Sequence, residues 1–257
     1  MMAMHESKLF GSRRYLFLFA HPDDDLYCCV LMKRLVDEGK SVKLLYLTSG
    51  DAGGAKRERE SEVFRSITHI GVNRKSVLFL RIPEKKLPNT LHRAVASAVR
   101  VVKSCGTDCA VGHDYEGGHE GHDLASFCLS EVVRLAEIGA HIVFPVYHGP
   151  PGKRRGARFK PVRKDPIILQ FTGKDRALKE AVLNCYVSQK EHFDGLGGST
   201  SDYFDLLFSR ELFSLLSAPI DYRSRPMEEV GYELHRNRFT FEKFQLALNK
   251  YRTHLSH

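Results

Sequence analysis

Short apolar runs alternate with amphipathic stretches along most of the chain. Tyr15–Ala20 and Ser41–Leu47 are near-continuous apolar runs of strand length, the pattern of strands buried on both faces. Leu26–Asp37 and Glu58–Ile70 carry helical spacing instead. In the second, Val63, Phe64, Ile67 and Ile70 share one face and Gly71 ends the helix. The alternation continues with a strand at Val77–Leu80, a helix at Leu91–Val102, a strand at Cys109–Gly112, a helix at His122–Ala136 and a strand at His141–Pro145. Strand–helix repetition implies right-handed crossovers, and so a three-layer α/β sandwich with a mostly parallel sheet.

The pattern then loosens. Gly149–Pro166 reads as a long loop and Ile167–Phe171 as a further strand. Arg176–Tyr186 and Tyr203–Leu216 read as helices separated by the Gly-rich Asp194–Ser201, and Phe239–Leu248 as a last helix. No internal repeat or second domain is visible. The expectation is one domain over 1–257, with a core of about 15–190 and a helical extension of about 200–257.

Composition narrows the class. Apolar residues make up 42% of the 257 positions, enough for a sizeable core. No apolar run approaches the roughly 20 residues that cross a bilayer. Tyr15–Ala20 follows Arg13 and Arg14, but His21 and three aspartates come directly after it and no small-residue cleavage site appears, so a cytoplasmic protein is expected. The six cysteines form no C-x-x-C pair and read as reduced, buried thiols. The net charge is +8, but Lys153–Lys164 alone holds seven basic residues and no acid. The other 32 basic residues nearly balance 31 acidic ones, which argues against a nucleic-acid-binding face. That basic segment is either a solvated surface loop or a recognition element for an anionic substrate group.

In an open parallel sheet, ligands bind beyond the carboxyl ends of the strands. Here those ends carry His21-Pro22-Asp23-Asp24-Asp25, then Thr48-Ser49-Gly50-Asp51, then Arg81 and Glu84, then His113 to His122, and finally Tyr147-His148. Imidazoles and carboxylates on one rim suit Zn²⁺, which in catalytic sites takes three protein ligands and keeps one position open. His21 and Asp24 lie on a turn stiffened by Pro22, and His119 and His122 on the fourth strand's turn offer the rest of the set.

These segments resemble the LmbE-like (PIG-L) zinc de-N-acetylases. Ala20-His21-Pro22-Asp23-Asp24-Asp25 is similar to that family's A-H-P-D-D-E signature, and Thr48-Ser49-Gly50-Asp51 to its T-x-G-[DE] turn. Arg59, Glu62 and Ile70-Gly71 match its R-x-x-E…L-G helix. Tyr115 to Asp123 resembles its Y-E-G-G-H-P-D-H-D segment, and Ser188-Gln189 the end of a late A-L-x-x-Y-x-S-Q helix. The resemblance spans roughly residues 15–190 and implies a Rossmann-like fold, one Zn²⁺ per chain and hydrolysis of an N-acyl group on a small amino-sugar-like molecule. It makes His21, Asp24 and His122 the metal ligands and Asp23 the general base toward a metal-activated water. His119 becomes the oxyanion stabiliser or proton donor. Arg59, Asp51, Glu84 and His148 are the substrate-contact candidates. Two departures stand out: Asp25 replaces a glutamate, and Gly121 replaces an aspartate expected to orient His119, with Glu120 or Glu116 left as stand-ins. Two other readings keep the fold: a metal- or sugar-binding module with altered catalysis, and an amide or ester metallohydrolase outside sugar chemistry.

Overall fold

The computed structural model describes residues 7–51, 56–150, 152–161, 163, 165–199, 202–234 and 239–255. Of the positions singled out above, Lys164 and Ser201 lie outside them. The strands are β1 (Arg14–Phe19), β2 (Ser41–Thr48), β3 (Val77–Ile82), β4 (Cys109–His113), β5 (Ala140–Phe144), β6 (Tyr147–His148), β7 (Arg155–Gly156), β8 (Ile167–Gln170) and β9 (Arg210–Leu215). The helices are α1 (Cys29–Asp37), α2 (Lys56–Ile70), α3 (Leu91–Cys105), α4 (Glu120–Ala136), α5 (Gly173–Leu183), α6 (Lys190–Ser199), α7 (Tyr203–Leu207) and α8 (Phe241–Leu255).

Seven strands form one sheet in the order β3-β2-β1-β4-β5-β9-β8. The first five are parallel, and β9 and β8 close that edge with antiparallel pairings. Side chains alternate across a strand, so β1 feeds two cores. Phe17 and Phe19 face a cluster with Leu31, Val63, Ile67 and Phe213, whereas Leu16 and Leu18 face one with Ala94, Leu124, Leu129 and Phe244. Helices α1, α2 and α5 cover the first face, and α3, α4 and α8 the second. The three-layer, mostly parallel architecture expected from the sequence is what the chain forms.

Three local expectations are corrected. The helix read over Tyr203–Leu216 stops at Leu207, and Arg210–Leu215 is strand β9. Its leucines and phenylalanines fit a helical face as well as a short strand, and pairing decides: Leu215 lies opposite Ile142, and Phe213 opposite Ile167. The Gly-rich break at Asp194 is instead the body of α6, anchored in the core by Phe193. The long loop after β5 is tied down where Tyr147 and His148 pair antiparallel with Gly156 and Arg155.

A buried ion pair links the late strand to the first helix. Lys179 and Glu211 lie 2.7 Å apart with side chains 0% and 1% exposed. Cys28, at the N-cap of α1, provides no side-chain cap. Glu211 supplies it from outside, accepting from Val30 N (3.0 Å) and Leu31 N (2.9 Å), while Lys179 Nζ donates to Leu26 O at 2.5 Å. Lys179→Met strands a buried carboxylate and is expected to lower stability by about 3–5 kcal/mol. A urea midpoint within error of wild type would show that the pair contributes nothing net.

Candidate metal centre and active-site cleft

β1 and β4 are neighbours whose connections leave toward opposite sides of the sheet, the switch point where a crevice opens. After β1 the chain turns at once: Asp23 N and Asp24 N both bond to His21 O, and Leu26 N to Asp23 O. Asp24 closes the turn by accepting His21 N at 2.7 Å. After β4, the loop Asp114–Gly118 delivers His119 to the N-cap of α4 and His122 to its first turn. Asp123 fixes that loop by accepting from Glu116 N and Gly117 N. Gly118 is required by closeness, because a Cβ there would lie 2.0 Å from Tyr147 O.

The two turns bring their ligand-type side chains together. Asp24 Oδ1 lies 3.2 Å from His122 Nε2, and Asp24 Oδ2 lies 3.6 Å from His21 Nδ1. His21, His119 and His122 each offer a nitrogen within 4.8 Å of the others', as do the donor atoms of Asp24, His113 and His122. His21 Nε2 and His122 Nδ1 are buried with no hydrogen-bond partner. Orphaned imidazole nitrogens beside a buried carboxylate fit a cation that accepts nitrogen and oxygen donors.

Electrostatics agree. Burial opposes charge on Asp24, but His113 and His122 hold its carboxyl well below the usual range. Burial pushes His122 down to about 3 and, with the neighbouring imidazoles, holds His119 well below its ordinary value, so both keep lone pairs. Burial also pulls His21 down, but Asp24 outweighs it and raises the ring to about 9. A metal ion would have to displace that proton.

The other anticipated residues take defined places. Asp23 lines the cleft and is held by a 2.8 Å ion pair to the buried Arg59. Glu84 lines it from the β3 side, 4.0 Å from His21 Nε2. Asp51 lies in the adjoining groove and accepts from Glu84 N at 3.0 Å, so it sets the Glu84 loop. His148 is not brought to the cleft: it is 3% exposed, and its Nδ1 lies 3.8 Å from Glu116 Oε2. Arg81 is exposed and pairs with Glu60.

Of the two stand-ins for the missing aspartate, Glu116 is spoken for. It accepts Val146 N at 2.7 Å, whereas Glu120 Oε2 lies 3.8 Å from His119 Nδ1. That Nδ1 accepts from Gly121 N at 3.0 Å. A Cβ at position 121 would come within 2.8 Å of the His21 ring and 3.1 Å of His119 Nδ1. The backbone of Gly121 thus does locally what a side chain there could not do with His21 where it is.

Sequence reasoning gives no site role to Tyr27, Tyr147, Gln189, His192 or Phe193, which also line the cleft. It also missed that His113 backs Asp24, its Nε2 lying 3.1 Å from Asp24 Oδ2. The R-x-x-E spacing held the one usable signal. One turn beyond Arg59, Glu62 accepts Ser188 N (2.8 Å) and Ser188 Oγ (2.7 Å), which places Gln189.

Residues 16–133 match the profile of the PIG-L family, GlcNAc-PI de-N-acetylase. Comparison with curated proteins gives no match. Similar solved structures include the conserved protein TT1542 from Thermus thermophilus, at 21% identity and TM-score 0.61, covering 81% of this chain and 96% of that one. N,N'-diacetylchitobiose deacetylase from Pyrococcus horikoshii is 16% identical with TM-score 0.61, covering 93% and 92%. GalB, the 4-carboxy-2-hydroxymuconate hydratase from Pseudomonas putida, is 15% identical with TM-score 0.56, covering 81% and 98%. At these identities the likeness shows the fold. A deacetylase and a hydratase share it, so the reaction has to be argued from the site.

Proposed function

We propose that this chain, which carries the PIG-L pattern over residues 16–133, is a metal-dependent hydrolase that removes an N-acetyl or related N-acyl group from an amino-sugar-like small molecule. The observation that supports the reading is that Asp24 meets both His21 (3.6 Å) and His122 (3.2 Å) beside the cleft-lining Asp23. Zn²⁺ held by those three residues would supply Lewis-acid polarisation of the acyl carbonyl and acidify a water.

The chain's own groups account for the rest. Asp23 is the base that takes the water's proton and can hand it on to the departing nitrogen. Arg59 fixes its carboxylate from behind while the second oxygen stays available. A ring nitrogen that accepts a hydrogen bond cannot carry the proton, so the Gly121 N–H leaves neutral His119 protonated on Nε2. That N–H can donate to the oxygen as the carbonyl becomes tetrahedral. Glu84 and Gln189, which both line the cleft, offer hydrogen-bonding groups to sugar hydroxyls. His148 is buried and does not line the cleft. Among the described residues no helix is long and apolar enough to cross a membrane.

The test is primary-amine release across a panel of N-acyl amino sugars, with metal-stripped and zinc-restored protein. Release that requires zinc is the expected result. Bound zinc with no amine release from any N-acyl compound would favour a binding module. Full activity without metal would sink the mechanism.

A further inference from the structure

A cavity of about 600 Å³ lies behind the loop that carries His119, and shares no lining residue with the catalytic cleft. Tyr115 and Pro226 form part of its wall, and Lys160, Arg163 and Arg225 bring three cations to it. Two of these are neutralised nearby: Arg163 pairs with Asp114 at 2.6 Å, and Arg225 with Glu233 at 2.6 Å. Lys160 is not. It is only 8% exposed, yet among the described residues its ammonium makes one hydrogen bond, to Pro226 O at 3.1 Å, and lies 5.5 Å from the Tyr115 ring centroid. The buried carboxyls of Glu116 and Asp123 feel its charge at longer range, but neither bonds to it. The one acid lining the cavity, Asp221, is engaged by Ser224 Oγ at 2.7 Å and Arg223 N at 2.9 Å.

With its stem buried and its ammonium meeting one carbonyl and an aromatic face at the cavity wall, Lys160 keeps donors free for an anionic partner. The cavity has room for a small molecule that carries an anionic group. We propose that this cavity binds the phosphate or carboxylate group of a small-molecule anion, with Lys160 as its charge partner and Arg163 and Arg225 at its edges. Two of the three cations come from the basic Lys153–Lys164 segment. Tyr115 links the cavity to the loop that positions His119. The site stands apart from the cleft, and the inference does not depend on the reaction proposed there.

The probe is inorganic phosphate, titrated calorimetrically into the full-length, zinc-loaded protein at constant ionic strength. Wild type is expected to bind it, and Lys160→Met to weaken binding at least about ten-fold, the loss typical of a charge-assisted contact. Should Lys160→Met fail to fold, Arg225→Gln tests the same site from its exposed edge, with an expected loss of about three-fold. No phosphate binding by wild type overturns the proposal. So does binding that neither variant weakens and that zinc removal abolishes, which would put the phosphate in the catalytic cleft.

Discussion

Asp23→Asn is expected to keep its metal and lose about 10²- to 10⁴-fold in turnover. Asparagine preserves the shape of the side chain and an oxygen to accept from Arg59, whose NH2 now lies 2.8 Å from Asp23 Oδ1. The turn itself is held by backbone bonds to His21 O and by the Asp24 carboxylate, neither of which the substitution touches. What disappears is a lone pair basic enough to accept a proton. Zinc content and kcat measured on the same preparation separate the two effects. Wild-type turnover in the variant would assign the base to another residue. Glu120 would then be next, since it lies beside His119, whereas Glu116 is committed to Val146 N.

His122→Ala should reduce bound zinc from near one equivalent per chain to near none, and activity with it. His122 is 5% exposed, meets Asp24 through Nε2, and leaves Nδ1 without a hydrogen-bond partner. Its ring stacks on His113 at 4.5 Å between centroids, so alanine leaves a gap and no substitute donor. Losing one of three protein ligands is more severe than losing an outer-shell partner, which by itself commonly costs about 10- to 100-fold in metal affinity. The measurement is elemental analysis after dialysis without chelator, with circular dichroism to confirm folding. Zinc retained at wild-type stoichiometry would show that His21, His119 and Asp24 suffice. That would put His119 in the place of His122 in the ligand set.

The parts of this site legible in the sequence are those that a parallel sheet places by rule. His21, Asp23 and Asp24 follow β1 directly, His119 and His122 open the helix after β4, and segments leaving the carboxyl ends of parallel strands share a rim. The parts that were not legible depend on contacts with no local signature. Nothing around Glu211 marks it as the cap of a helix some 180 residues earlier. His192 lies just before glycines that argue for a break, yet α6 runs through both, with Phe193 buried in the core. His148 shows the opposite failure. It sits at the right strand end, but pairing with Arg155 and burial beside Glu116 keep it from the cleft. The basic segment was readable as a charge run. Its tethering to Asp202, Asp114 and Pro226 was not, because those partners lie 44 to 66 positions away.

The cap supplied by Glu211 also bears on when the catalytic turn takes shape. Translation delivers β1 and the His21–Asp24 turn before the segments that follow them in the chain. The carboxylate that holds the N-terminus of α1, and the strand that carries it, emerge roughly 180 residues later. Contacts of such separation form only after loop-closure entropy has been overcome, and they slow folding. A nascent chain released before β9 would therefore hold the sequence of the metal turn without its support. Metal capture would then be a late event in the life of the polypeptide, following completion of the sheet rather than guiding it.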